Sequence, residues 1–373
     1  MISAASKINN MKSVSYLFLV LALFSGCSED DATKNDLREF KMGFTTWGYD
    51  ATLEAVNGTY SFIENNTDIY AEHIDNRIPW NAWVNDLELP VEFTNEIKGR
   101  ADIKIPGKEL LLSVSLLNSS RDELAADFDG EVPAYTNLND TEIEEAYSQH
   151  INYLVNVLNP DYLVIAIEVN ELRLRSPQKW ASYQSLISQV TSSVRQRHPD
   201  LRISESVSLH NLFRPDVSDS AAYVAEIINH INQMDFVSVS FYPFLKNLST
   251  QSEFQQALNF LHANVIPPIA FVETAHLAEN LVIPNLNVSI EGSENEQQVY
   301  LQTLLENADV QDYEFIIWWA HRDYDALWET FPDEVKDIGQ IWRDTGLLTE
   351  NGLERPAFAL WLNNLQNQLT QAN

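Results

Sequence analysis

The chain has 373 residues, enough for one large domain or two ordinary ones, and its 45% hydrophobic content can build a real core. With 23 basic against 54 acidic residues the formal charge is −31, which repels nucleic acid and anionic lipid and excludes both as general surface partners. The single cysteine excludes an internal disulfide.

The first predicted element is a targeting segment. Met11-Lys12 opens a short basic stretch, Tyr16–Phe24 is apolar, and Ser25-Gly26-Cys27 follows. The apolar run is too short for a stable span and reads as a signal peptide, residues 1–27. It resembles a bacterial lipoprotein signal, in which the cysteine, here Cys27, is lipidated and becomes the new N-terminus. That resemblance implies a lipid-anchored protein of the cell envelope, at the outer membrane or cell surface; an ordinary cleaved secretory signal is the alternative. Residues 28–38 are polar and read as a flexible tether.

From residue 39 to 373, short β-rich runs alternate with amphipathic helical patterns. Eight strands are predicted: Phe40–Thr46, Asp68–His73, Glu109–Leu117, Tyr162–Asn170, Leu201–Leu209, Asp235–Tyr242, Pro268–Glu273 and Tyr313–Ala320. Several are continuously apolar, as parallel strands buried on both faces are. Thr141-x-x-Glu144 reads as a capping box, with Tyr147, Ile151, Leu154 and Leu158 on one helix face. Ser176-Pro177 opens a second helix whose buried stripe is Tyr183, Leu186, Ile187, Val190 and Val194. Arg355-Pro356 opens a last one, with Phe358, Trp361, Leu362 and Leu365 turned inward. Eight such units in one domain predict a single-domain (β/α)8 TIM barrel of the α/β class. The rival, an open doubly wound sheet, usually shows a G-x-G-x-x-G turn, and the chain has none. Neither G-x-S-x-G nor H-E-x-x-H occurs, so no serine-hydrolase elbow or zinc site is indicated, and no metal or organic cofactor is expected.

In such a barrel the chemistry collects where strands end. Those ends supply Trp47, then His73 with Trp80 beyond it, Asn170-Glu171, His210, Tyr242, Glu273 with His276, and Trp318-Trp319. Carboxylates at the mouths of buried strands are costly unless used or neutralised. Two of them, Glu171 and Glu273, could flank one bond, as glycoside cleavage requires. Aromatic faces suit sugar rings, and amides suit hydroxyls. Glu168 is expected to be a structural acid of the barrel interior. Asn170 and Glu171 would face opposite sides of an ideal strand, so both serve one pocket only if the strand end bends.

This arrangement resembles clan A, the retaining glycosidases built on (β/α)8 barrels. In that clan a glutamate after asparagine ends strand four and a second glutamate ends strand seven; Asn170-Glu171 and Glu273 match. The segments D-F-V-S-V-S-F-Y-P-F (Asp235–Phe244) and F-V-E-T-A-H (Phe271–His276) are similar to motifs of the family 53 endo-β-1,4-galactanases. The front half departs from that family: L-L-N-S-S stands where a histidine-tyrosine signature belongs, and only Arg77 lies near the place of its strand-two arginine. The resemblance implies hydrolysis of a β-linked poly- or oligosaccharide by double displacement, with cleavage inside the chain. Glu273 would be the nucleophile and Glu171 the acid/base. Asn170 would bind the neighbouring sugar hydroxyl, Tyr242 would hold Glu273, and Trp318, ahead of Trp319, would floor the sugar subsite. His73, Trp47, Trp80, His210 and His276 are further rim candidates. The alternative function is a cell-surface glycan-binding lipoprotein that kept the barrel and lost catalysis.

Overall fold

A computed structural model describes residues 37–75 and 77–369. The signal segment, Cys27 and most of the tether lie outside the described residues. Among the described residues, no helix is long and apolar enough to cross a membrane.

Eight parallel strands form the barrel: β1 (Lys41–Thr45), β2 (Ile69–Ile74), β3 (Glu109–Val114), β4 (Tyr162–Val164), β5 (in two segments, Arg202–Ser204 and Ser206–Ser208), β6 (Val237–Phe241), β7 (Ile269–Thr274) and β8 (Phe315–Trp318). The ladder runs in chain order, and β8 pairs with β1. It closes across β5, whose first segment pairs with β4 and whose second pairs with β6. Only Glu205 interrupts that strand. Its carboxylate turns out of the sheet, fully buried, to the His230 ring at 2.5 Å.

An apolar cluster fills much of the barrel interior. Tyr162, Phe236 and Phe315 meet edge to face near the floor, with ring centres 4.9–6.0 Å apart. Beneath them Lys41–Glu109 (2.5 Å) and Arg202–Glu314 (2.6 Å) close the bottom. Ile69, Ala71, Leu111, Val164, Val272 and Ile317 fill the layers above. Gly43 belongs here for a steric reason: a Cβ on it would lie 2.2 Å from the Ile69 carbonyl oxygen of the neighbouring strand.

The helices cover the outside much as their stripes predict. Thr141–Leu158 buries Tyr147, Ile151, Leu154 and Leu158, and Trp180–Arg197 buries its five predicted residues. The capping box does not form at Thr141. Asp140 is the N-cap, and its side chain turns back to accept from the Thr136 and Asn137 amides. A capping box does form at Thr250 and Glu253. The tether also ends earlier than its composition suggests. Leu37–Arg38 pairs in parallel with Gln368–Leu369, and the buried Arg38 binds Asp68 at 2.8 Å.

Candidate active site

At the carboxyl ends of the strands lies a cavity of about 340 Å³. Its wall includes Glu168 from the bend after β4 and Glu273 from β7, and His73, Asp75, Arg121, Trp47 and Trp319 between and around them. Period-two alternation brings several of these inward. Ile69 and Ala71 face the interior, so His73 follows them; Phe315 and Ile317 do, so Trp319 follows and Trp318 does not.

Glu273 breaks that rule. Ala270 and Val272 face inward, so an ideal strand would turn Glu273 outward. The register of β7 slips here against both β6 and β8, a bulge that re-aims Glu273 into the cavity. The Tyr242 hydroxyl donates to its Oε1, and His73 Nδ1 stands 3.7 Å from its Oε2. Burial pushes the Glu273 pKa up to about 7, helped by the charge of Glu168; His73 and the Tyr242 hydroxyl act the other way. Burial opposes protonation of His73, but Asp75 and the charge of Glu273 outweigh it and raise its pKa.

On the opposite side the chain leaves β4 after Val164 and bends. Glu168 adopts a left-handed backbone (φ 52°), rare for a residue with a side chain, and its amide donates to Ser206 Oγ at 2.8 Å. The bend puts its carboxylate in the cavity, where Ser240 Oγ donates to it at 2.8 Å and Arg121 Nε stands 3.4 Å away. Arg121 grips Asp75 with both terminal nitrogens, at 2.9 and 2.7 Å. A continuous charged path therefore runs Glu273–His73–Asp75–Arg121–Glu168.

The Asn170-Glu171 pair is elsewhere. Both residues begin a helix, Asn170–Arg175, and neither lines the cavity. Asn170 is fully buried and bonded to Ser208 and the Tyr223 hydroxyl. Glu171 accepts from Ser208 Oγ, from Asn211 Nδ2 at 2.7 Å and from Arg175 at 3.1 Å. These partners already satisfy it, so the buried carboxylate needs no substrate to explain it. The position expected for Glu171 is filled by Glu168.

The other expected residues divide the same way. Trp47, His73 and Trp319 line the cavity, and Tyr242 touches it through Glu273. Trp318 is fully buried against the outer helices, with its indole donating to the Thr345 carbonyl at 2.9 Å and its ring 6.0 Å from Tyr300. Trp80 donates to the Ala125 carbonyl under the loops after β2 and β3. His276 is wedged among Phe244, Phe254 and Tyr300. His210 is buried near the charges of Glu168 and Glu171, with its pKa lowered by burial, and does not reach the cavity wall. Arg77 extends outward to Glu92, so the arginine of the site is Arg121, from the loop after β3. Tyr324, Phe331 and Trp342, from the segment after β8, complete the wall. No motif marked them in the sequence beyond their being aromatic.

No family model matches the chain, and no curated protein matches it in sequence. Solved structures match its fold. The GH53 catalytic domain of Ignisphaera aggregans gives a TM-score of 0.57 at 16% identity, over 88% of this chain and 97% of that one. A GH5_18 protein of Bifidobacterium longum, in complex with Manb1-4GlcNAc, gives 0.61 at 13% identity, over 88% and 77%. A GH113 β-1,4-mannanase gives 0.52 at 15% identity, over 88% and 99%. The chain shares the (β/α)8 barrel fold with these glycoside hydrolases.

Proposed function

We propose that the chain is a retaining glycosidase acting on β-linked sugars, with Glu273 as nucleophile and Glu168 as acid/base. The observation that carries this reading is one cavity with two carboxylates at the ends of strands four and seven, in a setting of indole rings. The glycoside hydrolases that share the fold add support.

In the first half-reaction a Glu273 oxygen attacks the anomeric carbon. The bond to the leaving oxygen breaks as Glu168 gives that oxygen its proton. In the second, the Glu168 carboxylate takes a proton from water, the water oxygen attacks the same carbon, and the bond to Glu273 breaks. Such double displacement requires carboxyl groups about 5–5.5 Å apart. Tyr242 and His73 would stabilise the negative charge on Glu273 before attack, and Arg121 would balance Glu168 once its proton has gone. Trp319 offers a flat apolar face for a sugar ring.

An activated 2-deoxy-2-fluoro β-glycoside tests the reading. It should leave a covalent sugar on the peptide that contains Glu273, seen by mass spectrometry after digestion. A label on another residue, or turnover of the parent glycoside with no label at all, would reject it. We also propose, from the sequence of residues 11–27, that the protein is held in the cell envelope by a lipid on Cys27. Cys27→Ser should move it from the membrane fraction to the soluble fraction; an unchanged membrane fraction would count against the anchor.

A further inference from the structure

We infer that the cavity takes the end of a sugar chain and not its middle, so that the substrates are non-reducing termini and short β-linked oligosaccharides. The inference rests on the glycosidase reading above.

Its basis is a closed circuit of contacts on the Glu273 side. The Trp47 ring lies 5.2 Å from Trp319, 5.7 Å from Tyr324 and 6.5 Å from Phe331. Phe331 packs on the backbone of Gly339, where an added Cβ would fall 2.7 Å from the ring, and the Tyr324 hydroxyl donates to the Gly339 carbonyl at 2.8 Å. Three residues on, Trp342 stands edge-on to Tyr242 at 5.8 Å, and Tyr242 holds Glu273. His73 then links Glu273 back to Trp319, its ring centre 5.6 Å from the indole. These contacts join Trp47, Trp319, Tyr324, Phe331 and Trp342 into an aromatic collar on that side.

The segment that builds most of the collar is pinned at its root. Asp323 and Arg355, both buried, pair at 2.7 Å, and Asp323 also accepts the Gly346 amide at 2.9 Å. Arg343 binds Asp344 through two bonds of 2.8 Å. A wall rooted this way is a fixed boundary of the site.

The Glu168 side differs. Arg121 stands beside it and binds Asp75, and Ser119 lines the cavity from the same loop as Arg121, so this part of the wall is polar. In double displacement the nucleophile touches the sugar that is retained, and the acid touches the oxygen that leaves. The retained sugar therefore sits inside the collar, and the leaving part runs out past the polar side. A volume of about 340 Å³ is at the small end of the range of roughly 300–1,000 Å³ for ligand sites. Internal cleavage, which the family resemblance implies, needs a groove open at both ends, and the collar closes one.

The test uses β-1,4-linked gluco-, manno-, galacto- and xylo-oligosaccharides carrying a fluorophore at the reducing end, together with the parent polysaccharides and the corresponding 4-nitrophenyl β-glycosides. The expected result is a labelled fragment that shortens stepwise from its far end, with release of a mono- or disaccharide from the first minutes. Labelled fragments of scattered length at early times, or rapid loss of polysaccharide viscosity, would overturn the inference and leave the glycosidase reading intact. No cleavage of any substrate, with no quenching of tryptophan fluorescence by monocyclic iminosugars, would overturn both.

Discussion

Glu168→Gln should lower kcat/KM on a glycoside with a poor leaving group by about 10²–10⁴-fold, the usual contribution of a general acid, while Glu171→Gln should lose less than about tenfold. The contrast follows from placement. Glu168 faces the cavity beside Arg121, whereas Glu171 is enclosed by Ser208, Asn211 and Arg175. A good leaving group needs no proton, so Glu168→Gln should keep its first step on a 4-nitrophenyl glycoside and stall in the second. Azide should then restore turnover and yield the β-glycosyl azide. In Glu273→Ala azide would attack from the vacated face and yield the α-glycosyl azide. Product stereochemistry therefore assigns the two carboxylates separately. A large loss in Glu171→Gln with near-normal Glu168→Gln would transfer the acid/base role back to the residue after asparagine.

The second expected result concerns stability. The Glu273 pKa is raised to about 7 in the fold from an ordinary 4.5, chiefly by burial. The folded state therefore binds a proton there more tightly than the unfolded chain does. Stability from this group is fully present below about pH 4.5 and is lost as pH rises to about 7. The difference, 7 − 4.5 or about 2.5 units, corresponds to a ceiling of about 3 kcal/mol. Glu273→Gln removes the cost of ionising a buried acid. It should match the parent at pH 4.5 and exceed it at pH 8 by an amount approaching that ceiling, measured by urea unfolding at both values. His73 works against this difference: Asp75 and Glu273 raise its pKa, and a protonated His73 beside an ionised Glu273 offsets part of the cost of that charge. The same proton should set the acid limb of kcat/KM near pH 7, since a protonated Glu273 cannot attack. Equal stability of parent and variant at pH 8 would mean that Glu273 is not held out of water as the cavity requires.

The barrel was legible in the sequence because its physics is local. Continuously apolar runs, helix stripes and turn punctuation specify eight units; seven strands stand within a few residues of their expected places, and the fourth, expected to run to Asn170, stops at Val164. The site was legible where a strand stays regular. His73 and Trp47 reach the rim, and Tyr242 holds Glu273 as its position after β6 suggests. Trp319 could have been preferred to Trp318 by counting in twos from Phe315 and Ile317, had the inward face of β8 been known. The absence of Glu171 from the cavity wall has a particular cause. Counting in twos from Tyr162 and Val164 reaches Glu168, whereas Glu171 falls on the other face. The Asn-Glu pair outweighed that count because it resembles the clan's motif. The chain reaches the same result by an irregular route, with Ile167 inside and Glu168 left-handed, and no local propensity predicts a left-handed glutamate. Arg121 and the collar residues Tyr324, Phe331 and Trp342 were invisible for a different reason. They come from loops whose positions are set by long-range contacts such as Asp323 with Arg355.

The short pairing of Leu37–Arg38 with Gln368–Leu369 fixes how the molecule can be held. Arg38 grips Asp68 just ahead of β2, at the floor of the barrel, and reaches the Asn364 carbonyl of the last helix. Both ends of the described chain therefore emerge at the pole opposite the mouth. Leu37 and Leu369 are thus both held at that pole, and neither end of the described chain lies at the rim.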